Sequence, residues 1–328
     1  MSEHDYAALR RDLTALYGQQ EYTQALALLQ QNPQIFPQQG LMYHWKMCLA
    51  ARANDPDLAI LAFKEALDSG YSYPAALIRE DEDLASLHGI PAYEELATLS
   101  LKRFAEVETE TRPELLVLPP AKTSDDHIPL LLGLHGNSQN ARLAANDWQP
   151  IVEKGWLLAC AQSSQLLISD AYFWNDLARG TSDVQQLYRI LNIRDMIAPE
   201  RIVLGGFSAG GGLAIHLAVT GAIKAQGFLV VGPYLRDLEL LKPYLDTAAA
   251  NRLRGYIVMG LQEPPESQEI MRKIHALLNT HGIPCGLEEH PEIAHVFPAD
   301  FGQTIEKALT FLQQADLSTT VGRSSQEA

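Results

Sequence analysis

A change of hydrophobic period near Thr111-Arg112-Pro113 divides this chain in two. Downstream, short Val/Ile/Leu runs alternate with amphipathic stretches. The runs predict strands at Leu115–Leu118, Pro129–Leu134, Trp156–Ala161, Arg201–Leu204, Gly227–Val231, Gly255–Met259 and Cys285–His290. The stretches between them predict helices near 140–153, 182–197, 209–220, 235–249, 266–281 and 301–314. A strand that is apolar throughout must be covered on both faces, and helices between successive strands supply that cover. The expected fold class is therefore α/β, a mostly parallel sheet with helices on both faces. Ligands of such sheets bind beyond the carboxyl ends of the strands, so the chemistry is to be sought there.

Residues 1–110 lack strand-like alternation and read as helices only. Tyr22, Ala25, Leu26 and Leu29 recur at helical spacing, as do Leu58, Ile60, Leu61, Phe63, Ala66 and Leu67. A weak self-similarity relates Ala25 to Ala59, Leu26 to Ile60 and Leu29 to Phe63. The segment from Trp45 through Ala50, Ala59, Phe63 and Ala66 resembles the helix pair of a tetratricopeptide repeat, in which small residues let two helices approach. The Gly of its first helix is absent and its closing Pro is displaced to Pro74. An ordinary helical bundle packed on the following domain is the alternative. The expected organisation is a helical domain at 1–110, an α/β domain at 111–316 and a disordered, polar tail at 317–328.

The formal net charge of −15 argues against a nucleic-acid or anionic-membrane partner, since both need clustered Lys and Arg. Cys48, Cys160 and Cys285 are far apart, which suits a reducing compartment rather than a disulfide framework. The opening MSEHDYAALRRDL has no apolar core of a secretory signal, and no run is long enough for a membrane span. A soluble cytoplasmic protein is expected.

The stretch LGGFSAGGG, residues 204–212, joins a β-branched run to a helix-forming run. A phosphate-binding loop fails here at two places: Gly211 and Gly212 stand where Lys and Ser/Thr are needed after Gly205 and Gly210. A dinucleotide fingerprint fails because Ser208 stands two residues after Gly206. What remains is G-x-S-x-G between a strand and a helix, the context of a nucleophile elbow. A serine on so sharp a turn leaves no room for side chains at the flanking positions, hence Gly206 and Gly210.

A serine is a poor nucleophile without a base, and the base needs a carboxylate to orient it. His295, between the last strand and the last helix, is the expected base, with His290 as rival. Glu263, just after the strand Gly255–Met259, is the expected acid, ahead of Glu266, Glu269 and Asp237. The backbone N–H groups of Ala209 and Asn137 are the expected oxyanion donors, the second made accessible by Gly136. Phe173 and Trp174, in YFWN, line a substrate pocket or plug a loop. No C-x-x-C or H-E-x-x-H occurs. Glu288, Glu289, His290, Glu292 and His295 do not share a helix face, so no metal and no cofactor is expected.

The motifs LLGLHGN, RIVLGGFSAGG, VMGLQE and IAHVFP, in that order, resemble the α/β-hydrolase superfamily over residues 112–314. Within it the chain is similar to small carboxylesterase/phospholipase and depolymerase-type esterases. It departs from them at Glu263, where Asp is common, and at Ala294, where Gly commonly precedes the histidine. The resemblance implies a serine hydrolase of a small acyl substrate, an ester or thioester. A peptidase on the same residues is an alternative. So is an adaptor that binds a protein partner through residues 1–110.

Overall fold

The computed structural model describes residues 3–32, 39–122, 127–192 and 197–314, so the expected tail at 317–328 lies outside the described residues. The first region consists of helices α1 (Glu3–Gly18), α2 (Tyr22–Gln31), α3 (Gln39–Arg52), α4 (Pro56–Asp68), α5 (Ala75–Ile78) and α6 (Pro91–Glu110). Local signals set their starts. Asp55 accepts from the Leu58 N–H and Pro56 opens α4, where its missing N–H has no bond to lose. Helix α2 begins at Tyr22 and α4 at Pro56, which is 34 residues later, and Ala25 and Leu29 are buried like their counterparts Ala59 and Phe63. Leu26 is buried, but its counterpart Ile60 only partly so.

The second region holds β1 (Glu114–Leu118), β2 (Ile128–Leu134), α7 (Ala141–Trp148), β3 (Leu157–Gln162), β4 (Leu166–Ile168), β5 (Ala171–Tyr172), α8 (Leu177–Asn192), β6 (Ile197–Phe207) and α9 (Ser208–Thr220). It continues with β7 (Gly227–Val231), α10 (Leu245–Ala250), β8 (Arg254–Gly260), α11 (Pro265–Thr280), β9 (Cys285–His290) and α12 (Phe301–Leu312). The seven expected strands form one sheet in the order β1-β3-β2-β6-β7-β8-β9. Every pair is parallel except β1 with β3. One face is packed by Val184, Leu187, Leu213, Leu217 and Ile274, the other by Trp148, Phe297, Phe301 and Ile305.

Three expectations need correction. The helix near 235–249 is broken into two 3-10 turns and α10, because Pro243 can neither donate in a helix nor fit its preceding turn. The helix near 140–153 ends at Trp148 and tightens to 3-10 geometry through Pro150. The helix near 182–197 starts earlier, at Leu177, because Asp176 accepts from the Arg179 N–H.

The hairpin β4–β5 has no counterpart among the expected strands. Ile168 and Ala171 are fully buried, and they are buried in the core of the helical region rather than against the sheet. A hairpin from the second region is thus a piece of the first region's core. No described helix is long and apolar enough to cross a membrane.

Candidate active site

Strand β6 runs into α9 without a connecting loop. Phe207 is still extended, at φ −115° and ψ 137°, and Ser208 turns at once to φ +53°. A non-glycine residue in the left-handed region costs about 1–2 kcal/mol, so its neighbours must hold it there. A Cβ on Gly206 would stand 2.4 Å from the Gly210 carbonyl oxygen, and one on Gly210 would stand 2.2 Å from that of His135. Both obstacles are backbone and cannot swing aside. Gly212 serves a different approach: its Cβ would stand 2.0 Å from the Tyr234 carbonyl oxygen. The loop after β7 therefore lies directly on α9, where the Tyr234 N–H donates to the Ser208 carbonyl at 2.9 Å. No side chain caps α9, so its first N–H groups, Ala209 included, point past Ser208 without a helical acceptor.

Parallel register then brings the other residues to the same edge. Leu134 pairs with Gly206, Phe207 with Val231 and Gly260 with His290, so the chain leaves β2, β6, β7, β8 and β9 on one side. His295 Nδ1 donates to Glu263 Oε2 at 2.9 Å, with Glu263 buried and the His295 side chain 38% exposed. The His295 ring lies 4.7 Å from that of Phe207, next to Ser208. Among the described residues no hydrogen bond joins Ser208 Oγ to His295, a bond that in resting enzymes commonly tightens only with substrate.

The other carboxylates are engaged elsewhere or exposed. Glu269 pairs with Lys273 at 2.7 Å, Asp237 accepts from the Glu239 N–H, and Glu266 is exposed in the first turn of α11. His290 lies 3.3 Å from Glu288 and belongs to β9.

Two glycines not singled out in the sequence shape this pair. A Cβ on Gly232 would stand 2.9 Å from His295 Nδ1 and 3.0 Å from Glu263 Oε1, and its φ is +52°. The space it leaves admits a carboxylate one methylene longer than Asp. A Cβ on Gly260 would stand 2.3 Å from the Ala294 carbonyl oxygen, so the His295 loop crosses the end of β8 in contact. The sequence signal was present in VVGPY and VMG, glycines placed just where strands end.

The loop after β2 is fixed from several directions. The Gly136 N–H donates to Gln139 Oε1, the Ser138 N–H to the Tyr172 carbonyl and the Gln139 N–H to the Gly136 carbonyl. Among the described residues the Asn137 N–H, between them, donates to no acceptor. The Asn137 side chain accepts from the Trp174 N–H and donates to Asn175 Oδ1, both at 2.9 Å. Trp174 is buried, stacks 4.8 Å from the His135 ring and donates through Nε1 to the His135 carbonyl. It therefore lies beneath this loop. Phe173 is half-buried, and its carbonyl accepts from Ser163 Oγ. His135 accepts the Ser163 N–H at Nε2 and donates from Nδ1 to the Gly136 carbonyl, and burial pushes its imidazole down to about 4.

Among the described residues, the group whose ligand types stand close enough to hold an ion is His44, Cys48 and Asp81, in the helical region. His44 Nε2 is already bonded to the Leu77 carbonyl at 2.9 Å, and burial raises the Cys48 thiol well above its ordinary range. These three side chains make a hydrogen-bonded cluster remote from Ser208 in sequence and in core.

Residues 5–108 match the family described as A/B hydrolase-like, N-terminal domain. A stretch of 75 residues is 39% identical to acyl-protein thioesterase 1 of Kluyveromyces lactis. It makes up 22% of this chain, which spans about a third (32%) of that relative's length. An uncharacterized protein from Bacillus cereus ATCC 10987 has a similar solved structure, with TM-score 0.54 and 22% identity over 94% of this chain and 98% of that one. The structure of esterase PE8 is similar with TM-score 0.50 and 15% identity over 61% of this chain and 99% of that one. At these identities the likeness is one of fold, and for the first protein it extends over both regions.

Proposed function

We propose, from the α/β-hydrolase fold of this chain as premise, that it is a serine hydrolase of carboxylic esters or thioesters. The observation that carries this reading is the buried Glu263 carboxylate bonded to His295, set beside a serine held in left-handed backbone. Neither strained backbone nor a buried carboxylate aimed at a histidine is needed for the fold. The relationship of one stretch to an acyl-protein thioesterase is in keeping with an acyl substrate.

In this mechanism Ser208 Oγ attacks the acyl carbon while His295 Nε2 takes its proton. Glu263 keeps the His295 proton on Nδ1, leaving Nε2 free as base, and stabilises the imidazolium that forms. The N–H groups of Asn137 and Ala209 receive the developing oxyanion, one from the loop after β2 and one from the start of α9. His295 returns the proton to the departing alcohol or thiol, and water repeats the sequence to release the acid. The reaction needs no cofactor.

Replacing Ser208 with Ala should lower turnover of short activated esters by at least ~10⁴-fold and abolish labelling by a fluorophosphonate probe. Undiminished labelling of Ser208→Ala would refute the assignment.

A further inference from the structure

We infer that the N-terminal helical module is a positioning element for the oxyanion loop, acting through the hairpin β4–β5. The inference rests on the reading of Asn137 as an oxyanion donor, and it gives the helical region a task in the reaction.

The hairpin has two ends with different owners. At its tip, Ile168 and Ala171 are fully buried in the helical core. Gly40, at the start of α3, is packed so tightly on this tip that a Cβ would stand 2.9 Å from Ile168 Cδ1. Ser72 Oγ and Ser169 Oγ are hydrogen-bonded at 3.2 Å across the same contact. The turn itself places Asp170 at φ +82°. The Asn140 side-chain amide holds it there, donating to the Asp170 carbonyl and carboxylate at 3.0 and 2.9 Å.

At its other end the hairpin is the scaffold of the oxyanion loop. Tyr172 exchanges two backbone hydrogen bonds with that loop, accepting from Ser138 and donating to the Gln139 carbonyl. The two residues that follow Phe173 hold the Asn137 side chain by both its ends. The Asn137 N–H is thus aimed by Ser138 and by its own side chain, whose bonds lead to residues 172–175, and by Gly136, which is tied to Gln139 and through the Gln139 carbonyl to Tyr172. Two strands of three and two residues cannot hold a shape alone. Burial of Ile168 and Ala171 in the helical core supplies what they lack.

The test uses the full chain and two substitutions remote from Ser208. Gly40→Ala pushes a methyl group against Ile168 and, at the same distance, Tyr71, while favouring helix at its own position. Ile168→Ala removes the contact from the other side. Each should accelerate amide hydrogen exchange across residues 136–140 about tenfold while leaving β7 unchanged. With active enzyme counted by complete fluorophosphonate labelling, kcat should fall about tenfold and KM by less than twofold, a partial loss of one oxyanion donor. Unchanged exchange at 136–140 in both variants overturns the inference. Accelerated exchange with unchanged kcat supports the mechanical coupling and instead removes Asn137 from the oxyanion hole.

Discussion

The serine and the loop that faces it are built in opposite ways. Ser208 is held mainly by its own neighbours, β6 ahead of it, α9 behind it and bare glycines on either side, with one distant bond, from the Tyr234 N–H to its carbonyl. Asn137 is held by residues 35 or more positions away in sequence, and through them by a helical core further off again. One half of the site is encoded locally and the other by tertiary contact. Substitutions should therefore act abruptly on the first half and in a graded way on the second.

The largest effect is expected on the local half. Gly210→Ala would place a methyl carbon 2.2 Å from the His135 carbonyl oxygen and 2.7 Å from that of Leu134. Neither backbone can yield without moving β2. Turnover should drop by at least ~10³-fold and the chain should lose several kcal/mol of stability, of order 3 or more. Steady-state kinetics and a denaturant melt on the same preparation check both. An active, normally stable Gly210→Ala would mean that the elbow has slack, and the contrast between the two halves would disappear.

The same division explains what could be read from the sequence. The seven strands of the sheet were legible because each is a continuous apolar run with a turn signal at its end. The elbow was legible because its steric demands fall on adjacent residues. Glu263 and His295 were legible as positions after known strands, but their pairing at 2.9 Å is a matter of fold. The hairpin was not legible: LLI and AY are too short to show a period, and Ser169-Asp170 was the one trace of a turn. Nor could the sequence show that Ile168 and Ala171 are buried in a separate region's core, since burial looks the same whichever core receives it. Helix 235–249 departs from its expectation for a simpler reason, Pro243 inside an otherwise helical run.

An intermediate effect is expected where the two designs meet. Gly232 is local to β7, yet what it accommodates is the long-range pair Glu263–His295. Gly232→Ala meets three atoms of the His295 and Glu263 side chains near 3 Å and a φ of +52°. Side chains can give a few tenths of an ångström, so the protein should fold with about 1–2 kcal/mol of destabilisation. The displaced His295 should lower kcat by about 10–100-fold with little change in KM. A fall in KM affinity at constant kcat would instead make Gly232 part of the substrate pocket.

The last effect falls on stability alone and is a slope with pH. His135 underlies the loop after β2 as a neutral ring, with burial holding it near 4 against an ordinary 6.5. The folded state therefore resists protonation that the unfolded state accepts. Stability should fall as pH drops below about 6.5 and level off near 4, by about 1.4 kcal/mol per pH unit from this one group. The total is on the order of 3 kcal/mol. His44 and His216 are also held low by burial, so the wild-type slope contains all three. Subtracting the slope of His135→Asn isolates the ring beneath the loop. Protonation costs His135 its acceptor nitrogen and with it the Ser163 N–H bond, so acid should loosen residues 135–137 before it disturbs Ser208. Hydrogen exchange at pH 5 would reveal that order, and equal loosening of the elbow and the loop would show that the two halves are one cooperative unit.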